Sequence, residues 1–204
     1  FADCMPYKVD SNIQEKMKPP PNSIPDSTVI TLVYTKDGKD YEFSATKLPA
    51  DLNTYTYKSR YDKLIRKGNA MPPIQSFSLT NINGTDTTNA ILERPGYTLL
   101  LFAQSIDARP ANWKWNDQSF TEIKQLSVQK QYPFFLVTSD PKSAVEGFAN
   151  AKWDTNAVLA CDNVPIKTAA RVNPTLYVLN RGTIIGKWGY NDFDEALQFI
   201  KKIK

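Results

Sequence analysis

Two thiols, Cys4 and Cys161, are the side chains best able to act as nucleophiles or soft metal ligands, and no histidine accompanies them. Without imidazole there is no Ser-His-Asp triad, no Cys-His pair, no histidine zinc site and no imidazole proton shuttle. Two cysteines alone cannot complete a four-ligand zinc cluster. Three arrangements stay open: isolated thiols with one buried, a structural disulfide tying the N-terminal arm to the core, or a redox-active pair. A bridge between such distant positions would stabilise by roughly 4–5 kcal/mol in the chain-entropy account, given suitable geometry. Activation is disfavoured, because a thiolate needs a nearby cation and only the more distant Lys8 and Lys167 are on offer. Glycine-rich phosphate loops, paired catalytic carboxylates and clusters with metal-ligand spacing are missing from the sequence, so neither a cofactor nor a metal is expected.

The elements that would position these groups come from 204 residues, enough for one large domain or an average one with an appendage. A hydrophobic fraction of 41% suffices for a core. Lys+Arg 25 against Asp+Glu 21 leaves +4, with the signs interspersed. The densest basic stretches are Lys58, Arg60, Lys63, Arg66 and Lys67, then Lys201, Lys202 and Lys204. Both read as solvated helix faces rather than a nucleic-acid stripe, so no nucleic acid is expected as a partner. The longest uninterrupted apolar run, residues 99–103, is too short to span a bilayer. The chain opens on Phe1, with no Met and no signal pattern, and is read as a processed or truncated product.

Residues 1–27 read as irregular, with Pro19-Pro20-Pro21 extended and Pro25-Asp26-Ser27 a turn. Asp37-Gly38 predicts a hairpin between residues 28–35 and 39–45. Its pairs Tyr34/Tyr41, Leu32/Phe43 and Ile30/Ala45 share an apolar face, while Thr35/Asp40, Val33/Glu42 and Thr31/Ser44 take a wetter one. Tyr61, Leu64 and Ile65 at helical spacing, stopped by Gly68, predict a short helix. Tyr55, Tyr57 and Tyr61 are expected to clamp the hairpin onto the main domain, or else to form a recognition surface. Met71-Pro72-Pro73 marks the boundary between an N-terminal extension, residues 1–71 with a hairpin at 28–45, and a main domain at 72–204.

In that domain Phe77 and Leu79 alternate with Ser78 and Thr80 ahead of a turn at Asn83-Gly84, whose glycosylation-like sequon with Thr85 reads only as a turn. The apolar run at 97–103 predicts a strand buried on both faces. Phe120, Ile123 and Leu126 predict a helix, residues 132–138 a strand, and Ser139 or Asp140 the cap of a helix with Pro141 in its first turn. A strand at 157–160 and a helix at 165–171 lead to Pro174, which opens a strand closed by the Arg181-Gly182 turn and a second strand. Asn191 or Asp192 caps a last helix with the stripe Phe193, Ala196, Leu197, Ile200 and Ile203. Strands alternating with helices demand parallel pairing, and the closing hairpin adds antiparallel strands. The predicted class is α/β, a mixed sheet sandwiched by helices.

This arrangement resembles the thioredoxin fold over roughly residues 72–204, in the branch holding TlpA-type thiol reductases and peroxiredoxins. The matching pieces are the hairpin Phe77-Ser78-Leu79-Thr80-Asn81-Ile82-Asn83-Gly84, the buried strand at 99–102, the Asp-ended strand Val158-Leu159-Ala160-Cys161-Asp162, and Val172-Asn173-Pro174-Thr175-Leu176. The resemblance implies a cis Asn173–Pro174 bond, although Pro174 alone also fits an ordinary trans proline at a strand start. It further implies that Asn173 and Thr175 offer a strand-like edge to an extended protein or peptide partner. In the redox families a cysteine follows the first core strand, at a helix N-terminus that lowers its pKa. Here that window reads Gln104-Ser105-Ile106-Asp107-Ala108-Arg109-Pro110-Ala111-Asn112-Trp113 and holds no cysteine. Asp107 and Arg109 stand in its place, as a local ion pair or cap or as polar ligand contacts. Trp113 and Trp115 are the best placed of the four tryptophans to meet an apolar partner, with Trp153 and Trp188 read as core or rim.

The whole chain also resembles the soluble tails that follow DoxX-type membrane segments in bacteria, which implies an extracytoplasmic address and an upstream membrane tether. The function expected is that of a redox-inactive thioredoxin-like domain acting by binding or scaffolding. The alternative is an atypical thiol-disulfide oxidoreductase using Cys161, with or without Cys4.

Overall fold

The computed structural model describes residues 5–104, 117–148, 154 and 157–204. In chain order the elements are α1 (Ile13–Lys16), β1 (Ser27–Lys36), β2 (Lys39–Ser44), β3 (Thr56–Arg66), β4 (Thr80–Asn81), α2 (Thr88–Leu92), β5 (Tyr97–Ala103) and α3 (Gln118–Gln129). Then follow β6 (Phe134–Thr138), α4 (Pro141–Phe148), β7 (Val158–Ala160), α5 (Asn163–Ala169), β8 (Thr175–Asn180), β9 (Thr183–Gly189) and α6 (Phe193–Lys202). They form two compact units, Pro19–Pro72 on one side and the flanking N- and C-terminal stretches together on the other.

The smaller unit is an antiparallel sheet ordered β2-β1-β3. Its hairpin has the register read from Asp37-Gly38, with Tyr34 opposite Tyr41, Leu32 opposite Phe43 and Val33 opposite Glu42. The short helix predicted around Tyr61, Leu64 and Ile65 is instead the long strand β3, paired with β1 from Ser27↔Arg66 to Thr35↔Thr56 with two bulges. Gly68 therefore stops no helix. It lies against the backbone of Ile24 and Pro25, where a Cβ would collide. The basic residues of this stretch sit on a strand, not a helix face; Lys58 pairs with Asp40, and Lys63 reaches Glu42 at 4.0 Å. These pairs are exposed and contribute little to stability. Tyr55 packs edge-on to Tyr41 and Phe43, both at 5.4 Å, and Tyr57 to Tyr34 at 5.6 Å, so these two rings grip the hairpin's own aromatics. Tyr61 lies elsewhere, hydrogen-bonded to Glu42 and Thr31.

The larger unit is a six-stranded sheet ordered β4-β7-β6-β5-β8-β9. Strands β5, β6 and β7 are parallel, and β4, β8 and β9 run antiparallel to their neighbours. Alternation along β5 sends Leu99, Leu101 and Ala103 to a core layer shared with residues of α3, α4 and α6. Leu100 and Phe102 face the opposite layer, with residues of α2, α5 and the N-terminal stretch. This is the mixed sheet sandwiched by helices that the sequence predicts, of the thioredoxin-like class. Asp117 caps α3, accepting from the Phe120 N–H at 3.2 Å, and Asp140 rather than Ser139 caps α4, accepting from the Ser143 N–H at 3.2 Å. Asp192 is the N-cap residue of α6 without a side-chain capping bond. Arg181 and Gly182 both have positive φ, 48° and 74°, as a tight turn between right-twisted strands requires.

Residues 5–18, predicted irregular, form a strap built into this core. Tyr7 and Ile13 are buried in it. The Asp10 N–H donates to Ile184 O at 2.7 Å, the Ile184 N–H to Ser11 O at 3.0 Å and the Ile13 N–H to Gly182 O at 2.9 Å. The Asn12 side-chain amide donates to Arg181 O and to Thr183 Oγ1, while Asn12 Oδ1 accepts from the Glu15 N–H. The strap thus covers one end of β9. Its far end is fixed where the Ile74 N–H donates to Lys16 O at 2.9 Å. Within the small unit, the Asn69 N–H donates to Ile24 O at 2.8 Å and the Gly68 N–H to Asp26 Oδ1 at 2.6 Å. Each unit therefore closes its own ends, and the three-stranded sheet is an insertion in the larger unit rather than an appendage before it.

Replacing residues 19–72 with a short Gly-Ser linker is expected to leave a cooperative urea transition, because no core residue of the larger unit is removed. Ile13→Ala in the full chain is expected to cost about 2–5 kcal/mol by the same measurement. A non-cooperative linker variant would refute the insertion.

Candidate functional site

The fold brings three segment ends together: the ends of β5 and β6 and the loop entering β8. Proline at position 174 has no N–H to offer a ladder, so it fits the first residue before a strand. The Asn173–Pro174 peptide bond is cis, and so is Met5–Pro6. Gln104, the residue just past β5, ties the segments together. Its N–H donates to Asn173 Oδ1 at 2.9 Å, its side-chain amide donates to Ala170 O, and its carbonyl accepts from Ser139 Oγ at 3.2 Å. Next to it the Cys161 N–H donates to Thr138 O at 3.0 Å, continuing the parallel pairing of β6 and β7 past the end of the strand.

Thr175 does not provide the edge expected of it. It is fully buried, and β8 lies inside the sheet, so Thr175 faces Phe102 on one side and Gly189 on the other. Its hydroxyl donates to Val172 O at 2.6 Å, which turns it to the service of its own loop. Asn173 is half-buried and Pro174 buried. Asp107, Arg109, Trp113, Trp115, Trp153 and Cys4 lie outside the described residues. Trp188 is half-buried on β9 against Phe199, with ring centroids 5.1 Å apart. From the sequence Gln104 is not read as a site residue and Ser139 is read only as a helix-cap candidate; the signal available is that Gln104 is the first polar residue after an apolar run.

Cys161 is a free thiol, 6% exposed, in the same core layer as Tyr7 and Phe77. Burial pushes its pKa up from 9.0 to about 11, with N–H groups of Ser78 and Asp162 pulling weakly the other way and the Asp162 charge adding to the rise. Burial likewise pushes the Tyr7 hydroxyl up, and the neighbouring Cys161 adds to it. A thiol held neutral in an apolar layer is a poor nucleophile. Among the described residues no group of three or more His, Cys, Asp or Glu side chains gathers as a metal site would, and no helix is long and apolar enough to cross a membrane. What the site offers is amide and carbonyl hydrogen bonding around a buried cis-proline, with no reactive group among its described members.

The described fold is thioredoxin-like. A protein-family model described as a domain of unknown function (DUF8463) matches residues 28–67, the stretch that folds into the three-stranded sheet. No curated protein matches the chain. Among solved structures, a thioredoxin-like protein from Bacteroides caccae is 18% identical with a TM-score of 0.45, over 63% of this chain and 47% of that one. This chain therefore spans about half the length of that neighbour. A putative thioredoxin from Neisseria meningitidis is 18% identical with a TM-score of 0.42, over 62% and 87%. Bradyrhizobium japonicum ScoI, solved with copper bound, is 17% identical with a TM-score of 0.41, over 62% and 96%. Such low identities and scores carry no activity across to this chain.

The raised Cys161 pKa has a signature in stability. Below pH 9 the thiol is neutral in both states, and its burial is not opposed by ionisation. Between about pH 9 and 11 the unfolded chain ionises first, so stability falls as pH rises through that window, by up to roughly 2–3 kcal/mol. Comparing urea midpoints of the parent and Cys161→Ala from pH 8 to 11 isolates this slope from other titrations. Equal slopes would show that the thiol is not buried as described.

Proposed function

We propose that this chain works by binding rather than by thiol exchange, with a thioredoxin-like domain as the scaffold and the Pro174 loop as the contact region for an extended protein or peptide segment. The observation that carries the reading is the pairing of an intact Gln104–Asn173–Pro174 loop with a chain whose window after β5 holds no cysteine. In thiol exchangers of this architecture the attacking sulfur sits in that window, and its absence removes the nucleophile while leaving the surface that positions a segment. The contact is made through Asn173 and the loop, since Thr175 is already paired on both sides. The same reading takes the domain to be tethered at the extracytoplasmic side of a bacterial membrane, as the likeness to DoxX-linked tails suggests.

The alternative, an oxidoreductase built on Cys161, is disfavoured by the burial of that thiol and its raised pKa. Copper binding like that of the ScoI neighbour is disfavoured, since soft copper sites draw on thiolate, thioether and imidazole, and this chain has no histidine, three methionines and two cysteines, of which Cys161 is buried and held neutral.

Two measurements test the proposal. In dithiothreitol-driven insulin reduction the purified chain is expected to match the protein-free blank, as is Cys161→Ser; clear turnover overturns the non-exchanger reading. Peptides selected from a random library against the chain are expected to shift the backbone amide signals of Gln104 and Asn173 in NMR spectra. Peptides that bind while leaving both signals unmoved would rule out the Pro174 loop as the contact.

A further inference from the structure

A second concave site lies elsewhere on the larger unit. The Pro174 loop adjoins the end of β5, where Thr175 faces Phe102. The cleft in question reaches Phe135, near the start of β6, and Leu159 on β7, and it is walled by α2 and the turn after β4. Its volume is about 260 Å³. Ile91, Phe135 and Leu159 belong to or pack against the apolar core layer on that side of the sheet, and Ala90 and Ile82 extend the apolar surface.

One cation lines this cleft. Arg94 stands just past the C-terminal end of α2 and is exposed. None of the residues lining the cleft is acidic. Among the described residues Arg94 makes no ion pair and no side-chain hydrogen bond, whereas the neighbouring Glu93 accepts from Gln14 at 3.0 Å. Two of the other polar side chains are engaged locally. Asn81 Oδ1 accepts from the N–H groups of Asn83 and Thr85, and the Thr87 hydroxyl donates to Leu79 O. The outer side of β4 is also occupied, by the bridge between Thr80 and Asp86, so the cleft has no unpaired strand edge for an extended peptide. An uncommitted guanidinium beside an apolar floor matches a ligand with one anionic end and a compact apolar body. Arginine is suited to a planar carboxylate because it can donate two parallel hydrogen bonds.

We propose that this cleft binds a small monocarboxylate, with its apolar body against Ile91, Phe135 and Leu159 and its carboxylate on Arg94. The volume is below the roughly 300 Å³ that marks the lower end for drug-sized ligands, which limits the occupant to a short chain or single ring. The site is independent of the Pro174 loop, and neither proposal needs the other.

Octanoate is the probe, with octanol as its uncharged counterpart, titrated into the full chain and followed by backbone amide NMR. Octanoate is expected to shift the signals of Ala90, Ile91 and Arg94 in a saturable way while leaving Gln104 and Asn173 unmoved. Arg94→Gln is expected to weaken octanoate at least about tenfold, as loss of a charge-assisted hydrogen bond does, and to leave octanol unchanged. Ala90→Trp, at an exposed position that fills the cleft without touching the buried core, is expected to abolish both. The proposal is overturned if octanoate shifts no cleft signal, if it binds elsewhere, or if Arg94→Gln binds it as tightly as the parent.

Discussion

Strand β5 is buried on both faces from Thr98 to Ala103, so each of its side chains needs a covering layer and neither side of the sheet is left free to face water. One layer comes from α3, α4 and α6, where Phe120 stacks on Phe193 with ring centroids 5.9 Å apart. The other is thinner, because α2 and α5 are short and leave part of the sheet uncovered. Tyr7 and Ile13 fill that remainder. The strap is thus as much part of the core as any helix, although it has almost no regular structure of its own. Burial of such large side chains is worth roughly 1.5–3 kcal/mol each, and the strap's backbone hydrogen bonds to Gly182 and Ile184 add to that.

The same rigidity decides what the Pro174 region can do. Gln104 fixes β5 to the segment entering β8 through two hydrogen bonds and to the end of β6 through a third, and Thr175 is locked between two strands. A region so restrained presents a preformed surface, which would lower the ordering cost of the contact proposed for it. It has no need of a reactive group for that. The sole described thiol lies instead in the apolar layer beneath, where burial keeps it neutral and its size makes it a packing residue.

Much of the larger unit could be read from local pattern. The continuous apolar run of β5, the strand that follows Pro174 and the stripe of α6 each carry their own signal, and all three elements lie where expected. The failures share a cause, which is pairing with distant chain. Tyr61, Leu64 and Ile65 have helical spacing, but β3 is held by ladder bonds to β1, and the register shift between Ser27 and Thr28 leaves Ile65 without a partner between Leu64 and Arg66, which breaks the two-residue alternation there. Tyr7 and Ile13 follow no period at all, since the strap is shaped by β9. Thr175 looked available because one strand's sequence cannot say whether it has neighbours on both sides. The candidate site suffered most, as Gln104 acts through atoms contributed by three separate segments.

The strap also imposes an order on how the chain can come together. It is made before every strand of the larger sheet, yet the backbone groups of Gly182 and Ile184 that receive it come only with the last of those strands. Until those residues leave the ribosome, Tyr7 and Ile13 have no site to occupy, and the thin layer over Leu100 and Phe102 stays incomplete. The three-stranded sheet has no such wait, because every strand it pairs lies within Ser27–Arg66. The small sheet can thus close from its own residues, whereas the larger unit waits on β9 for the last piece of its core.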